Sequence, residues 1–268
     1  MVALTNIKDK PLLTQYLVAN KLIQLDVVDI GARDGFAPYW LNYGDCLNIV
    51  GFDPDNQQEK LSRGRCQAKA LSDDGKERVF YVIRYPGSSG FYPPNIDFTN
   101  RLRNRDYLNI TNTIQMETVT LDSLNLKADF IKLDTEGSEL EILKGGIETL
   151  ENVLGVSIEV AFTELFSGQP RFRDVDAFLE SHGFTLYDLE TARLERANPD
   201  KPGMSNGKIG QVIQGQVLYF RDIYKDLENY NEKKILKMAS LFEVFNLSDC
   251  AFEVLNNPMT EKYLGFIE

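Results

Sequence analysis

The stretch LDVVDIGARDG, residues 25–35, is the strongest indication of the fold. Its apolar run through Val27, Val28 and Ile30 ends in glycines, as buried parallel strands do where the chain turns towards a helix. The stretch NIVGFDPD (48–55) repeats this design further along the chain. Two such segments in succession predict neighbouring parallel strands, with a helix expected after the first.

Strand and helix patterns alternate along the rest of the chain. Strand patterns are ADFIKLDTEG (128–137), VLGVSIEVAF (153–162), FTLYDLE (184–190) and QVLYFRD (216–222), and helical patterns are SELEILKGG (138–146) and VDAFLESHG (175–183). In the first of these helices, Ser138 and Glu141 have the spacing of a capping box, and Glu139 and Glu141 are interpreted as acids of a helix start. The alternation predicts an α/β fold with a doubly wound, mostly parallel sheet covered by helices.

Helical patterns flank this central region at both ends. Apolar residues recur at near-helical spacing over 11–23 and again over 226–256. We therefore expect an N-terminal helix (1–24), a ligand-binding α/β domain (25–222) and a C-terminal helical extension (223–268). The extension is expected to pack on the domain or to form a homodimer contact.

The composition is that of an ordinary globular chain. Of its 268 residues, 43% are apolar and 26% are charged, and the net charge is −11 with an isoelectric point near 4.8. Because this charge repels phosphate backbones, we expect no nucleic-acid partner. The chain shows no apolar run approaching the roughly 20 residues of a membrane span, no secretory signal pattern and no disulfide spacing among its cysteines. These features favour a cytoplasmic protein without a membrane span.

The predicted strands end in acids and glycines, at the sheet edge where open parallel sheets bind ligands. The first strand ends in Asp29, Gly31 and Gly35, and the missing glycine side chains let backbone amides approach a ligand closely. The second strand ends in Asp53, at the spacing where an acid commonly accepts hydrogen bonds from ribose hydroxyls. This arrangement predicts a cofactor that contains a ribose.

Two classes of cofactor fit this arrangement. A nicotinamide dinucleotide would make the protein an NAD(P)-dependent oxidoreductase, but the turn from Gly31 to Gly35 lacks the middle glycine of G-x-G-x-x-G. Asp34, within the same turn, would also oppose a pyrophosphate electrostatically. S-adenosylmethionine carries a sulfonium cation and no phosphate, so it tolerates acids there. The pattern favours S-adenosylmethionine, with the oxidoreductase as the alternative.

A series of motifs stands in a characteristic order over about residues 25–190. These motifs are VVDIGARDG (27–35), GFDPD (51–55), KALSDDG (69–75), TLDSL (120–124), IKLDTEGSELEILKGG (131–146) and IEV (158–160). In this order they resemble the FkbM-type methyltransferases, and LYFRD (218–222) is similar to the terminal strand of that family. The glycine turn is shared by many nucleotide-binding folds, whereas D-x-E-G-x-E followed by L-K-G is far more specific.

The resemblance implies a Rossmann-like class I fold with seven strands and S-adenosylmethionine bound to the domain 25–222. The implied cofactor-binding residues are Asp29, Gly31, Ala32, Gly35, Asp53, Pro54, Leu71, Ser72 and Asp134. Among these, Asp53 would bind the ribose, and Leu71 and Ser72 would border the adenine. The implied catalytic residues are Asp134, Glu136 and Glu159, facing the transferred methyl group and the acceptor. Because family members are generally assigned to O-methylation, we expect the acceptor to be a hydroxyl of a glycan or of a small metabolite.

An alcohol acceptor must lose a proton during methyl transfer, so the site needs a base. The only histidine, His182, ends a predicted helix, where a helix-terminal role is expected rather than catalysis. The base is therefore expected among the clustered carboxylates, whose mutual repulsion would raise the pKa of at least one of them. The same carboxylates could instead hold Mg²⁺ next to the acceptor hydroxyl, and no metal ligands are assigned.

Other interpretations remain open. The non-enzyme alternative is a binding module that retains the fold without the chemistry, although the complete set of strand-end acids argues against it. The loop GSSGFYPPN (87–95) resembles a serine-rich loop of many family members, and its Phe91 and Tyr92 could pack locally or close over the acceptor. Asp122 is interpreted as a turn or cap residue, and acceptor specificity is expected in the loops 86–106 and 195–211.

Overall fold

The computed structural model describes residues 6–55, 64–197 and 210–267, so positions 198–209 of the loop 195–211 lie outside the described residues. The strands are β1 (Leu25–Ile30), β2 (Leu47–Phe52), β3 (Arg65–Gln67), β4 (Ala70–Leu71), β5 (Arg78–Ile83), β6 (Ile110–Met116), β7 (Thr118–Val119), β8 (Phe130–Leu133), β9 (Gly155–Ala161), β10 (Phe184–Leu194) and β11 (Gln211–Arg221). The α-helices are α1 (Leu12–Ala19), α2 (Ile96–Thr99), α3 (Glu139–Lys144), α4 (Ile147–Leu150), α5 (Phe172–Ser181), α6 (Glu232–Val244) and α7 (Ser248–Leu255).

Seven strands form one sheet in the order β10-β11-β9-β8-β1-β2-β3. The strands from β3 to β9 in this order are parallel, whereas β11 runs antiparallel to both β9 and β10. The strand order reverses between β1 and β8, and such a switch point opens a ligand crevice at the carboxyl ends of the strands. The structure confirms the predicted α/β class and the doubly wound, mostly parallel sheet of seven strands.

Helices cover both faces of the sheet. On one face, α3, α4 and α5 enclose a core that contains Ile131 and Ile158. On the other face, α1, α6 and α7 enclose a second core that contains Phe130 and Phe220. The C-terminal helices therefore pack into the same core as the first strand, although the division of the chain into domains stays a prediction. None of the helices in the described ranges is long and apolar enough to cross a bilayer.

The helix expected after β1 is replaced by a 3-10 segment (Pro38–Cys46), so that prediction is wrong. Gly44 interrupts the segment with φ of +49°, a backbone conformation that no regular helix contains. The segment nevertheless buries Trp40, whose ring packs edge-on against Phe130 with centroids 5.3 Å apart. Trp40 also contacts Phe245, which directly follows α6. The end of α6 therefore covers this part of the sheet.

A buried carboxylate joins α6 to α1. Glu243 on α6 accepts hydrogen bonds from the backbone amides of Leu13 (3.0 Å) and Thr14 (2.8 Å), and from the Thr14 hydroxyl. These amides belong to the first turn of α1, where no partner exists within the helix. Glu243 thus stabilises the start of α1 from the opposite end of the chain.

An antiparallel pair of strands, β5 and β6, stands outside the main sheet. We call residues 78–116 the roof, because side chains of this segment lie across the carboxyl ends of the parallel strands. The roof is tied to α3 by an ion pair of 2.7 Å between Arg78 Nη1 and Glu141 Oε2. The Tyr92 hydroxyl donates to the other oxygen of Glu141 at 2.8 Å.

Candidate active site

A cavity of about 340 Å³ lies between the carboxyl ends of the strands and the roof. Six of the residues predicted from the sequence line it, namely Gly31, Asp53, Pro54, Leu71, Asp134 and Glu136. The other predicted residues, Asp29, Ala32, Gly35, Ser72 and Glu159, are not part of its lining. The volume falls within the roughly 300–1,000 Å³ that is typical of small-molecule sites. The strand ends therefore form one shared cavity, as the sequence predicted.

The glycine turn brings the first strand against the end of β8. Gly31 has φ of +87°, and a Cβ at this position would lie 1.9 Å from the backbone oxygen of Asp134. The Asp134 amide in turn donates to the Ile30 carbonyl at 3.0 Å. Only glycine permits this contact, which sets Asp134 beside the glycine turn.

Asp53 follows β2 at the mouth of the same cavity. Its Oδ1 accepts a hydrogen bond from the Asp55 amide at 2.9 Å, and Asp55 pairs with Arg33 at 3.0 Å. Burial raises the pKa of Asp53, while the hydrogen bond from the Asp55 amide lowers it in part. The Asp53 side chain is therefore oriented by its own turn, and its binding of a ribose stays a prediction.

Leu71 and Ser72 differ in their relation to the cavity. Leu71 is 3% exposed and lines the wall, whereas Ser72 is fully buried behind it. The Ser72 hydroxyl contacts the Thr118 hydroxyl at 2.6 Å and accepts from the Gly75 amide at 3.0 Å. Ser72 thus supports the turn after β4.

Lys132, on β8, contacts two of the predicted site residues, and the sequence analysis missed it. Its ammonium lies 3.3 Å from Asp29 Oδ1 and 3.7 Å from Asp134 Oδ2. The other oxygen of Asp29 is buried and has no hydrogen-bond partner among the described residues. Burial raises the pKa of Asp29, and the Lys132 charge opposes this shift. A lysine inside the apolar run FIKL was the available signal, because a charge in a buried strand requires a partner.

Three carboxylates converge beyond this pair. Asp134, Glu136 and Glu159 place one oxygen each within 4.8 Å of one another. Burial raises the pKa of Glu136 well above its ordinary value, and the charges of Asp134 and Glu139 raise it further. Burial, reinforced by the same neighbouring carboxylates, also raises the pKa of Glu159. Burial and mutual repulsion therefore act in the same direction on the pKa of both glutamates.

Glu159 belongs to this cluster but does not line the larger cavity. Its Oε1 accepts a hydrogen bond of 2.5 Å from Gln214 Nε2 on the neighbouring antiparallel strand. A second cavity, of about 10 Å³, lies between Glu159, Glu136 and Phe166. This volume is about that of one water molecule, and Glu136 lines both cavities. Glu136 thus stands between the larger cavity and Glu159.

The predicted capping box at the start of α3 is not formed. The Ser138 side chain makes no cap hydrogen bond, and its hydroxyl is buried without a partner among the described residues. Glu141 contacts the roof through Arg78 and Tyr92 instead. Ser138 has φ of −92° and ψ of 2°, which differs from the extended conformation that lets an N-cap side chain reach the helix amides.

The roof contributes apolar side chains to the cavity wall. Phe80, Phe91 and Met116 line it, and the rings of Phe80 and Phe91 pack edge-on with centroids 5.5 Å apart. Of the two loop aromatics, Phe91 therefore faces the cavity, while the Tyr92 hydroxyl is bound to Glu141.

Two residues assigned structural roles from the sequence have them in the structure. His182 ends α5, and its Nδ1 lies 2.7 Å from the Phe178 carbonyl oxygen. Asp122 accepts hydrogen bonds from the Glu148 and Thr149 amides at the start of α4. Both predictions are confirmed, and neither residue lines the larger cavity.

Comparison with known proteins identifies the domain. The family model described as the methyltransferase FkbM domain matches residues 29–186, more than half of the chain. No curated protein sequence matches the chain significantly.

Solved structures of methyltransferases are similar at low identity. A methyltransferase FkbM from Methylobacillus flagellatus KT is 16% identical, with a TM-score of 0.37, over 81% of this chain and 49% of that protein, so this chain spans about half its length. Magnesium protoporphyrin IX methyltransferase from Synechocystis PCC 6803 is 12% identical, with a TM-score of 0.34, over 78% and 76% of the two chains. The 1,6-didemethyltoxoflavin-N1-methyltransferase of Burkholderia thailandensis is 13% identical, with a TM-score of 0.35, over 78% and 77%.

Proposed function

The chain belongs to the FkbM family of S-adenosylmethionine-dependent methyltransferases, and on this premise we propose that it methylates a hydroxyl group of a glycan or of a small hydroxylated metabolite. One observation carries the proposal. Gly31, Asp53 and the carboxylates Asp134 and Glu136 border a single cavity at the strand ends. Such a cavity combines a place for the cofactor with acids that can accept a proton.

The residues of the cavity fit the cofactor. Gly31 leaves bare backbone at the wall, Asp53 offers a carboxylate for ribose hydroxyls, and Leu71 offers apolar surface for the adenine. Asp29 does not line the cavity: it is 1% exposed, and one of its oxygens is buried without a hydrogen-bond partner among the described residues. When bound, S-adenosylmethionine supplies an electrophilic methyl group on a sulfonium cation. The task of the protein is mainly to align the acceptor oxygen with that methyl group.

We assign the base to Glu136, which lines the cavity and lies against Glu159. A Glu136 carboxylate oxygen would take the proton from the acceptor hydroxyl during methyl transfer. The raised pKa of Glu136 favours this step, because a stronger base removes a proton more effectively from an alcohol. Glu159 would then share the proton with Glu136, and Asp134 would hold the acceptor.

The cavity favours a neutral acceptor with an apolar face. Phe80, Phe91 and Met116 form an apolar part of the cavity wall. The carboxylates themselves would repel an anionic acceptor, as would the net charge of −11. These features support a hydroxylated acceptor that carries no phosphate or carboxylate next to the reacting oxygen.

The experiment is incubation with methyl-labelled S-adenosylmethionine and fractionated cell extract, after binding has been measured by calorimetry. We expect S-adenosylmethionine to bind at micromolar or lower concentration. Label should be transferred to a fraction of hydroxylated compounds, and mild base should not release it. Binding without labelling of any fraction would favour the binding module. A thermal shift with NADH and none with S-adenosylhomocysteine would favour the oxidoreductase.

Metal assistance is the second candidate mechanism for the same reaction. The cluster of Asp134, Glu136 and Glu159 has the oxygen donors that Mg²⁺ prefers, within 4.8 Å of one another. If the carboxylate is the base, transfer of label persists after chelation with EDTA. Loss of transfer in EDTA, with recovery on addition of Mg²⁺, would identify the metal mechanism instead.

A further inference from the structure

The turn between β8 and α3 has an unusual backbone. Glu136 has φ of +57°, in the left-handed region that residues with a side chain rarely adopt, and Gly137 follows with φ of +114°. Glu136 is also the residue that lines both cavities. A strained residue at such a position persists only where surrounding contacts hold it.

One side chain accepts hydrogen bonds from both sides of this turn. Glu139 is the first residue of α3 and only 5% exposed. Its Oε1 accepts hydrogen bonds from the Thr135 amide (2.7 Å) and the Thr135 hydroxyl (3.1 Å). Its Oε2 accepts from the Gly137 amide at 3.0 Å. The carboxylate thus binds the residues on either side of Glu136.

We propose that Glu139 is a positioning residue, whose carboxylate holds the turn 135–137 so that Glu136 faces the cavity next to Asp134 and Glu159. This inference rests on the proposed function, because it assumes that Glu136 takes the proton. Glu139 itself lines the small cavity and not the larger one, so it acts through Glu136. The interpretation from sequence alone, an acid that stabilises a helix start, does not account for a carboxylate directed at the preceding turn.

The chain contains a matched control for this side chain. Asp122 also accepts hydrogen bonds from two backbone amides and one threonine hydroxyl, those of Glu148 (3.1 Å), Thr149 (2.8 Å) and the Thr149 side chain (2.7 Å). Neither cavity next to Glu136 is lined by Asp122. Removal of either carboxylate therefore takes away hydrogen bonds from two backbone amides and one threonine hydroxyl. Only Glu139 makes these bonds to the turn that carries Glu136.

The test compares E139Q, E139A and D122N by transfer of label from methyl-labelled S-adenosylmethionine to the fraction that the wild-type enzyme labels. We expect kcat per folded enzyme to fall by about 10-fold to 100-fold in E139Q and further in E139A, because a small displacement of a catalytic group has effects of this size. The KM for S-adenosylmethionine should stay unchanged. D122N should lower the melting temperature and leave kcat unchanged.

A crystal structure of E139Q provides a second readout that needs no acceptor. We expect the φ angle of Glu136 to leave the positive range and its carboxylate to move away from Glu159. Unchanged φ in E139Q together with wild-type kcat would overturn the inference, as would equal losses of kcat in E139Q and D122N. Failure of the proposed function would be recognised separately, because the wild-type enzyme would then transfer no label at all.

Discussion

The Lys132 ammonium lies 3.3 Å from Oδ1 of Asp29, although the two residues are 103 positions apart in the chain. They are register partners on the adjacent parallel strands β8 and β1. Asp29 is 1% exposed and the Lys132 side chain 19% exposed, so both charges are largely removed from water. The Lys132 ammonium also lies 3.7 Å from Oδ2 of Asp134. Its positive charge therefore stands next to the carboxylate cluster and partly balances it.

Replacing Lys132 by methionine should destabilise the protein by about 3–5 kcal/mol, because a buried carboxylate then loses its cation. Urea unfolding of K132M, D29N and the double variant K132M/D29N measures this effect. The double variant should be more stable than K132M, since it buries no unpaired charge at position 29. A double variant as unstable as the sum of the two single variants would contradict a direct interaction between the side chains.

Replacing Glu159 by glutamine should change how stability depends on pH. The pKa of Glu159 is raised in the folded protein above its ordinary value of 4.5, so the folded state retains protons that the unfolded state has lost. Folding stability therefore falls as pH rises through this interval. Urea midpoints measured from pH 4.5 upward should fall less steeply in E159Q than in the wild type. Parallel pH profiles would show that Glu159 does not titrate in this range.

The same variant should separate binding from chemistry when it is compared with D53A. Loss of the Asp53 carboxylate should weaken binding of S-adenosylhomocysteine by about 10-fold to 100-fold, the range expected for hydrogen bonds to a charged group. E159Q should keep the affinity of the wild type and lose turnover. Calorimetry with both variants is the measurement, and an equal loss of affinity would refute this division of roles.

Gly31 should tolerate no side chain. In G31A the new Cβ would lie 1.9 Å from the Asp134 backbone oxygen, so the end of β8 must move. We expect destabilisation of about 4 kcal/mol or more, together with loss of cofactor binding.

The control is G168A, whose φ is +80° but whose Cβ would meet nothing within 4 Å. G168A should cost about 1 kcal/mol, the strain of the left-handed backbone alone. Similar melting temperatures for the two variants would contradict the crowding at Gly31.

Much of the site was predictable because its residues follow strand ends. Val27, Val28 and Ile30 form an apolar run that reads as a buried strand, and whatever follows such a run in a parallel sheet lies at the ligand-binding edge. For that reason Gly31, Asp53 and Asp134 could be expected in one cavity, and they border one. The helix predicted after β1 is not formed, and a 3-10 segment packs Trp40 and Tyr43 into the core there instead.

Roles that depend on distant partners could not be predicted. Glu139 and Glu141 are two residues apart, yet Glu139 binds the turn before the helix and Glu141 binds the roof. In the sequence the two residues look alike, because each is an acid in the first turn of α3. Only the positions of Thr135, Gly137 and Arg78 around them separate the two roles.

The sequence by itself determined the α/β class, the strand ends that carry acids and glycines, and the family, because periodicity and motif order are local properties of a chain. Tertiary structure alone decided that Lys132 neutralises Asp29, that Glu243 stabilises a helix start 230 residues away, and that Glu136 stands between two cavities. The physical reason is that a buried charge or an unpaired amide requires some partner, while packing of distant segments selects which partner it receives.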